Sequence, residues 1–153
     1  MKNDNKGFSL IELIVVIAIM AILVGAMAPQ VTKYIEKSRK ASDVQALGTM
    51  YTALVTTLAD PDATGKPKSG TVTIGPNGAA TAESAGIATT DVIKTMGISA
   101  ITDFKLSSNA YKKDGNTITI TIDEALGSVV ISVPDKVDTG KTLKIDASGS
   151  HVS

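Results

Sequence analysis

The stretch that decides the fold is Phe8-Ser9-Leu10-Ile11-Glu12-Leu13-Ile14-Val15-Val16-Ile17-Ala18-Ile19-Met20-Ala21-Ile22-Leu23-Val24-Gly25-Ala26-Met27-Ala28. Of these 21 residues, only Ser9, Glu12 and Gly25 are not clearly apolar. A polar leader, residues 1–7, precedes it with Lys2, Asp4 and Lys6; Pro29 and a charged stretch follow. A helix apolar on all faces needs lipid or a much larger protein around it. About 20 residues at 1.5 Å each match the ~30 Å hydrocarbon core of a bilayer. A secretory signal peptide fits less well. Its apolar core runs to about 7–15 residues, and a cut after the small-x-small triplet Ala26-Met27-Ala28 would put Pro29 next. The run therefore reads as membrane-inserted.

The rest of the composition narrows the chemistry. Among 153 residues, 43% are hydrophobic, 20% charged and 3% aromatic, and cysteine is absent. Disulfide frameworks, cysteine-ligated metals and cysteine nucleophiles are excluded. Fifteen basic side chains balance fifteen acidic ones, so no global field recruits nucleic acid or an acidic partner, and no direct nucleic-acid site is identified. The single histidine, His151, lies near the C-terminus, which makes a histidine-centred catalytic site improbable. No catalytic constellation occurs in residues 59–153, so the chain reads as a non-enzyme without a cofactor. Two further patterns are weaker. Asp135 and Asp138, near Asp123 and Glu124, could hold calcium or form a solvated turn, and no D-x-D-x-D-G loop is present; no metal site is assigned. Gly75-Pro76-Asn77-Gly78 lacks the Lys-Ser/Thr of a phosphate loop.

Glu12 costs about 2.5–3.5 kcal/mol if carried deep into a membrane. Either it is paired and functional, or it snorkels to the headgroups one turn away. At this point Lys6-Gly7-Phe8-Ser9-Leu10-Ile11-Glu12 resembles the processing motif of type IV pilins and pseudopilins: a basic residue, Gly, a cut, Phe, three apolar or small residues, then Glu. The short leader and leading Phe are similar to the type IVa subclass, and Pro29 stands where many pilins carry a proline. The resemblance extends over residues 6–58 and is architectural beyond that.

The resemblance implies that a prepilin peptidase cuts between Gly7 and Phe8 and that the new amine of Phe8 is methylated. Glycine suits the cut, because without a Cβ its backbone enters a protease cleft extended. The resemblance also implies that the Phe8 ammonium pairs with Glu12 of a neighbouring subunit, which would neutralise both charges in an apolar filament core. Pairing within one chain across the first helical turn is equally open. The implied partners are a homo-oligomeric helical filament, an assembly platform protein with its ATPases, and the cytoplasmic membrane before assembly. The implied placement is single-pass with the N-terminus inside, then an extracellular pilus. Bare counting of flanking cations opposes that orientation: Lys2 and Lys6 precede the run, whereas Lys33, Lys37, Arg39 and Lys40 follow it. The implied need for cytoplasmic processing overrides the count.

The helix is expected to continue past Pro29. Residues 30–58 contain no proline and one glycine, and Val44, Leu47, Tyr51, Leu54 and Leu58 recur at helical spacing, an apolar stripe for helix–sheet packing. Lys33, Glu36, Lys37, Arg39, Lys40 and Asp43 form a charged region, read as a solvated face or as a contact with acidic groups of neighbours or headgroups. Pro29 removes its own donor and crowds the Gly25 carbonyl, so Gly25 and Pro29 mark a kink or a melting point. A helix over residues 8–59 extends about 78 Å.

Turn signals follow from Asp60-Pro61-Asp62 to Gly78. Thr71 to Ile74 reads as a short strand, Thr90 to Met96 as a short helix closed by Gly97, and Lys105 to Tyr111 as a weak strand. Lys112-Lys113-Asp114-Gly115 reads as a hairpin turn. Ile118, Ile120 and Ile122 alternate on one strand, and strands are expected at residues 129–133 and 142–145. The fold class is α+β: a long N-terminal helix on a small antiparallel sheet of three or four strands, the ladle fold of pilins. The expected divisions are leader 1–7, apolar helix half 8–29, amphipathic half 30–59 and globular domain 60–153.

Three readings of function compete. One is a type IV pilus subunit that supports adhesion, surface (twitching) motility or DNA uptake through the fibre. A second is a pseudopilin of a type II secretion or competence system. The third is a single-span protein that keeps its leader and displays a domain outside the cell.

Overall fold

The structure, a computed structural model, describes residues 8–62, 68–75, 94–100, 103–112, 116–123 and 125–153. The leader 1–7 with Gly7, the turns at Gly65 to Pro67 and Pro76 to Gly86, the start of the helix expected at Thr90, and the Lys113-Asp114-Gly115 turn lie outside these residues.

Helix α1 runs Leu10–Ala59 without interruption and contains Pro29. Five strands follow: β1 Gly70–Ile74, β2 Ile118–Asp123, β3 Ser128–Pro134, β4 Thr142–Asp146 and β5 Gly149–Val152, with a single-turn helix α2, Asn109–Lys112, between β1 and β2. The chain divides into two compact units, Met1–Glu36 and Lys37–Ser153.

In the first unit, α1 is a bare apolar helix. Leu10, Ile11, Leu13, Val15, Ile17, Ile19, Met20, Ile22 and Leu23 all remain exposed. Such a surface is stable in water only when covered, and the segment is long and apolar enough to cross a membrane.

The second unit has its own core. The strands pair antiparallel in sequence order. Register places Val72 opposite Ile120 and Ile74 opposite Ile118, Ile120 opposite Ile131 and Ile122 opposite Val129, and Ile131 opposite Ile145 and Val133 opposite Leu143. Strand periodicity sends all of these side chains to one face. That face packs with Leu47, Met50, Ala53 and Leu54 of α1 and with Phe104, Leu106, Ala110 and Tyr111 into a single buried cluster. The outer face is carried by Thr119, Thr121, Ser132 and Lys144, the alternation of a one-sided antiparallel sheet.

Two sequence expectations differ from the structure. The sheet has five strands, because β5 pairs with β4 through Leu143–Val152, Lys144–His151 and Ile145–Ser150. Strand β5 has no apolar alternation to announce it and is exposed along its whole length. Its signal is the turn before it: Asp146 Oδ1 accepts from the Ser148 N–H at 2.8 Å, and Gly149 takes a φ of 107°. The weak strand expected at Lys105 to Tyr111 is not one. Residues 104–107 are irregular and Asn109–Lys112 is helical. Alternating burial of Phe104, Leu106 and Ser108 mimics strand periodicity, but the Asp43 carboxylate of α1 holds the backbone at residues 107–108 and the Asn116 amide holds it at Tyr111, not a neighbouring strand.

Candidate functional site

The N-terminal end of α1 is built from three residues. Ser9 stands at the cap, its carbonyl accepting from the N–H groups of Glu12 at 3.1 Å and Leu13 at 3.3 Å. In return the Ser9 N–H donates to Glu12 Oε2 at 2.8 Å. This is one arm of a Ser-x-x-Glu capping box, which places a carboxylate at the positive end of the helix dipole. The cap stops the helix at Leu10 and leaves Phe8 outside it, with its side chain 93% exposed. Glu12 is the sole charged side chain in residues 8–32, and Phe8, Ile11, Leu13, Val15 and Val16 surround it. Its carboxylate therefore sits one residue from the Phe8 nitrogen, on an otherwise apolar surface. Ser9 as a cap was missed in the sequence reading, although the Ser-x-x-Glu pattern carried it.

At Gly25 and Pro29 the helix runs on. Pro29 offers no N–H to the Gly25 carbonyl, and the Thr32 hydroxyl donates to the Pro29 carbonyl at 3.0 Å. A Cβ at Gly25 would meet nothing within 4 Å, so contacts of this chain do not require glycine there.

In the second unit the stripe residues divide. Leu47 and Leu54 are completely buried, while Val44, Tyr51 and Leu58 are half-buried and pack against the core edge. The centre of the buried face is Asp43, Leu47, Met50, Leu54 and Thr57. Thr57 fits there because its hydroxyl donates to the Ala53 carbonyl at 2.8 Å.

The charged region on α1 also divides. Lys33, Lys37 and Arg39 are exposed. Asp43 is only 2% exposed: Oδ1 accepts from the Ser107 N–H at 2.7 Å and its hydroxyl at 3.0 Å, and Oδ2 accepts from the Ser108 N–H at 2.8 Å. These bonds fasten the segment before α2 onto α1. Lys40 donates to Asp135 Oδ2 at 2.7 Å and lies 5.8 Å from the centre of the Tyr111 ring, within cation–π range. Lys40 and Asp43 are thus anchors of the domain itself and not part of a solvated face. Burial pushes the Tyr111 hydroxyl above its ordinary range, with Lys40 opposing and Asp135 and Asp43 adding to the rise.

Asp135 caps its own loop, accepting at Oδ1 from the N–H groups of Val137 at 2.8 Å and Asp138 at 2.9 Å. Burial raises its pKa, but those donors together with Lys40 outweigh it and hold the carboxyl below the usual aspartate range. Asp138 pairs with Lys141. Among the described residues no group of three or more His, Cys, Asp or Glu side chains is placed to hold a metal. Asn116, another residue missed in the sequence reading, is 2% exposed. Its amide donates to the carbonyls of Tyr111 at 3.0 Å and Pro134 at 2.8 Å, and its Oδ1 accepts from the Thr117 N–H, tying α2 to the end of β3 just before β2 begins.

The family model described as "Prokaryotic N-terminal methylation motif" matches residues 2–28. Three curated proteins, each called Type IV major fimbrial protein FimA, of Dichelobacter nodosus, are 43%, 43% and 42% identical over 60 residues. The match covers 39% of this chain and 38% of the length of each relative. No solved structure matches the chain. The capped apolar helix, its lone carboxylate and the motif over residues 2–28 make the N-terminal part of the chain similar to that of type IV fimbrial subunits.

Proposed function

We propose that the chain is a structural subunit of a type IV pilus, cut after Gly7, methylated at Phe8 and assembled through its N-terminal helix. The observation that carries this reading is the surface of α1 before Pro29: apolar on every side, with one carboxylate held on the Ser9 N–H, the residue after Phe8. Lipid satisfies the apolar surface before assembly, and helices of other subunits satisfy it afterwards. Cleavage would create an ammonium at Phe8, which competes with the Ser9 N–H for Glu12. The ammonium brings a full charge to the carboxylate where the Ser9 N–H brings only a dipole, so Glu12 is available to that amine in its own chain or, across a filament, to the amine of a neighbour. The relatives' description as major fimbrial proteins supports a filament-forming role. Gly25 and Pro29 supply the place where the helix yields when packed. Adhesion, motility or DNA uptake would then be properties of the fibre. The chain supports this role as a non-enzyme, inserted in the cytoplasmic membrane with its N-terminus inside before export.

The test is an intact mass with N-terminal fragmentation on protein sheared from cells that make it natively. A chain beginning at N-methylated Phe8 in the sheared fraction is the expected result. The same chain found only in membranes moves the reading to a pseudopilin. An uncut leader beginning at Met1 removes the processing motif's role and with it the proposal.

A further inference from the structure

Beside the Asp43 anchor lies a polar recess of about 390 Å³, lined by Arg39 from α1, Lys105, Leu106 and Ser107 from the irregular segment, and Asn109 and Lys112 from α2. Three cations line it from three separate parts of the chain, and no carboxylate does so among the described residues. Asp43, one turn after Arg39, has both oxygens engaged by Ser107 and Ser108, and Asp103 accepts from the Ala100 N–H. The neighbouring cation, Lys40, is already matched by Asp135. Arg39, Lys105 and Lys112 make no ion pair with a described residue. The protein as a whole carries no net charge, so this concentration of positive charge is local and fixed by the fold. Three like charges around one recess repel one another, and an anion seated between them relieves that repulsion.

We propose that this recess binds a phosphoryl group. A carboxylate brings one charge and two oxygens. A phosphoryl group brings up to two charges and three acceptor oxygens, matching three separated cationic donors. The planar fork of Arg39 engages two of those oxygens, and Lys105 and Lys112 act as point charges on the remainder. The site lies within the Lys37–Ser153 unit and does not depend on the filament reading; either stands if the other fails.

The test uses the full chain in dodecyl maltoside micelles, titrated with inorganic phosphate and separately with glycerophosphoglycerol, a soluble phosphodiester headgroup, at constant ionic strength set by chloride. Amide NMR shifts of Leu106, Ser107 and Asn109 are followed. Saturable shifts with phosphate are expected, weakened about five- to tenfold by Arg39→Gln and by Lys112→Gln and unchanged by Lys144→Gln on the outer sheet face. All three positions are exposed, or half-exposed for Lys144, so the variants keep the fold. Saturation by phosphate alone identifies a free or terminal phosphate as ligand; saturation by both probes admits the lipid-type diester. Shifts that chloride reproduces, or that the Arg39 and Lys112 variants leave intact, overturn the proposal. So do shifts that track protein concentration and not the probe, which would assign the recess to acidic side chains of a second copy.

Discussion

Asp43 and Asp135 both lie buried in the second unit, and each satisfies its charge by a different means. Asp43 takes three donors from one short segment, so its burial is stabilising and not merely tolerated; hydrogen bonds to charged groups contribute about 1.5–3 kcal/mol each. Asp135 accepts from its own loop and from Lys40. Its folded pKa lies below the ordinary value, so the stability it contributes is complete above the unfolded aspartate pKa of about 3.9. That stability is lost as pH falls through the lower folded value. The amide shifts of Val137 and Asp138 are therefore expected to stay constant from pH 7 to about pH 4 and to move only below it. In Asp135→Asn, whose side-chain oxygen still accepts from the loop, this acid transition disappears. A midpoint at or above the ordinary aspartate value would contradict the Lys40–Asp135 geometry. None of this was legible from the charge run alone. The i,i+4 spacings Glu36–Lys40 and Arg39–Asp43 are equally good helix-surface pairs, and only the approach of residues 107–108 and 135 selects the inward partners.

At the scale of elements, α1 carries two different surfaces on one uninterrupted helix. Its second half shows how far periodicity goes. The stripe from Val44 to Leu58 has the correct spacing and falls on the correct side, yet its members differ in depth. Leu54 is fully buried and Leu58 is half-buried. Truncating Leu54 to Ala is expected to cost about 2–5 kcal/mol, since it removes buried methyls and leaves a cavity between helix and sheet. Leu58→Ala is expected to cost less than half as much, because solvent fills the edge. Denaturant unfolding of the full chain in micelles, followed by the sheet signal, separates the two; equal losses would place the core centre elsewhere. The alternating isoleucines of β2 were readable because strand burial has a period of two residues. Strand β5 was not, because a strand exposed on both faces needs no hydrophobic pattern, only the backbone hydrogen bonds of β4.

For the whole molecule, the two units place opposite demands on solvent. Residues 37–153 bury their own apolar surface, while the helix before them buries none. Glu12 is the residue in which those demands meet. Replacing it with Ala removes the carboxylate's membrane cost of about 2.5–3.5 kcal/mol and a cap contribution of about 1 kcal/mol. Membrane insertion and cleavage are therefore expected to persist in Glu12→Ala. On the proposed filament reading, what is lost is the partner for a Phe8 amine in a low-dielectric core, where an unpaired buried charge is strongly destabilising. Membrane fractionation and electron microscopy of sheared material test this together: processed protein retained in membranes with few fibres is the expected outcome, and abundant normal fibres would remove the paired-charge role.

Legible in the sequence were the apolar run, the Lys6-to-Glu12 motif, the long helix and the α+β class with its isoleucine-rich strands. Each of these is written in short-range order: composition over one membrane thickness, seven consecutive residues, a period of 3.6 or of two. Only long-range packing turns Lys40 and Asp43 inward, ties α2 to β3 through Asn116, leaves residues 104–107 irregular, adds a fifth strand at the edge of the sheet, and sets Arg39, Lys105 and Lys112 around one recess. These depend on contacts between residues as much as 95 positions apart, as in Lys40 with Asp135. Local spacing fixes which face a side chain occupies on its own element, but not which distant donor or charge arrives to meet it.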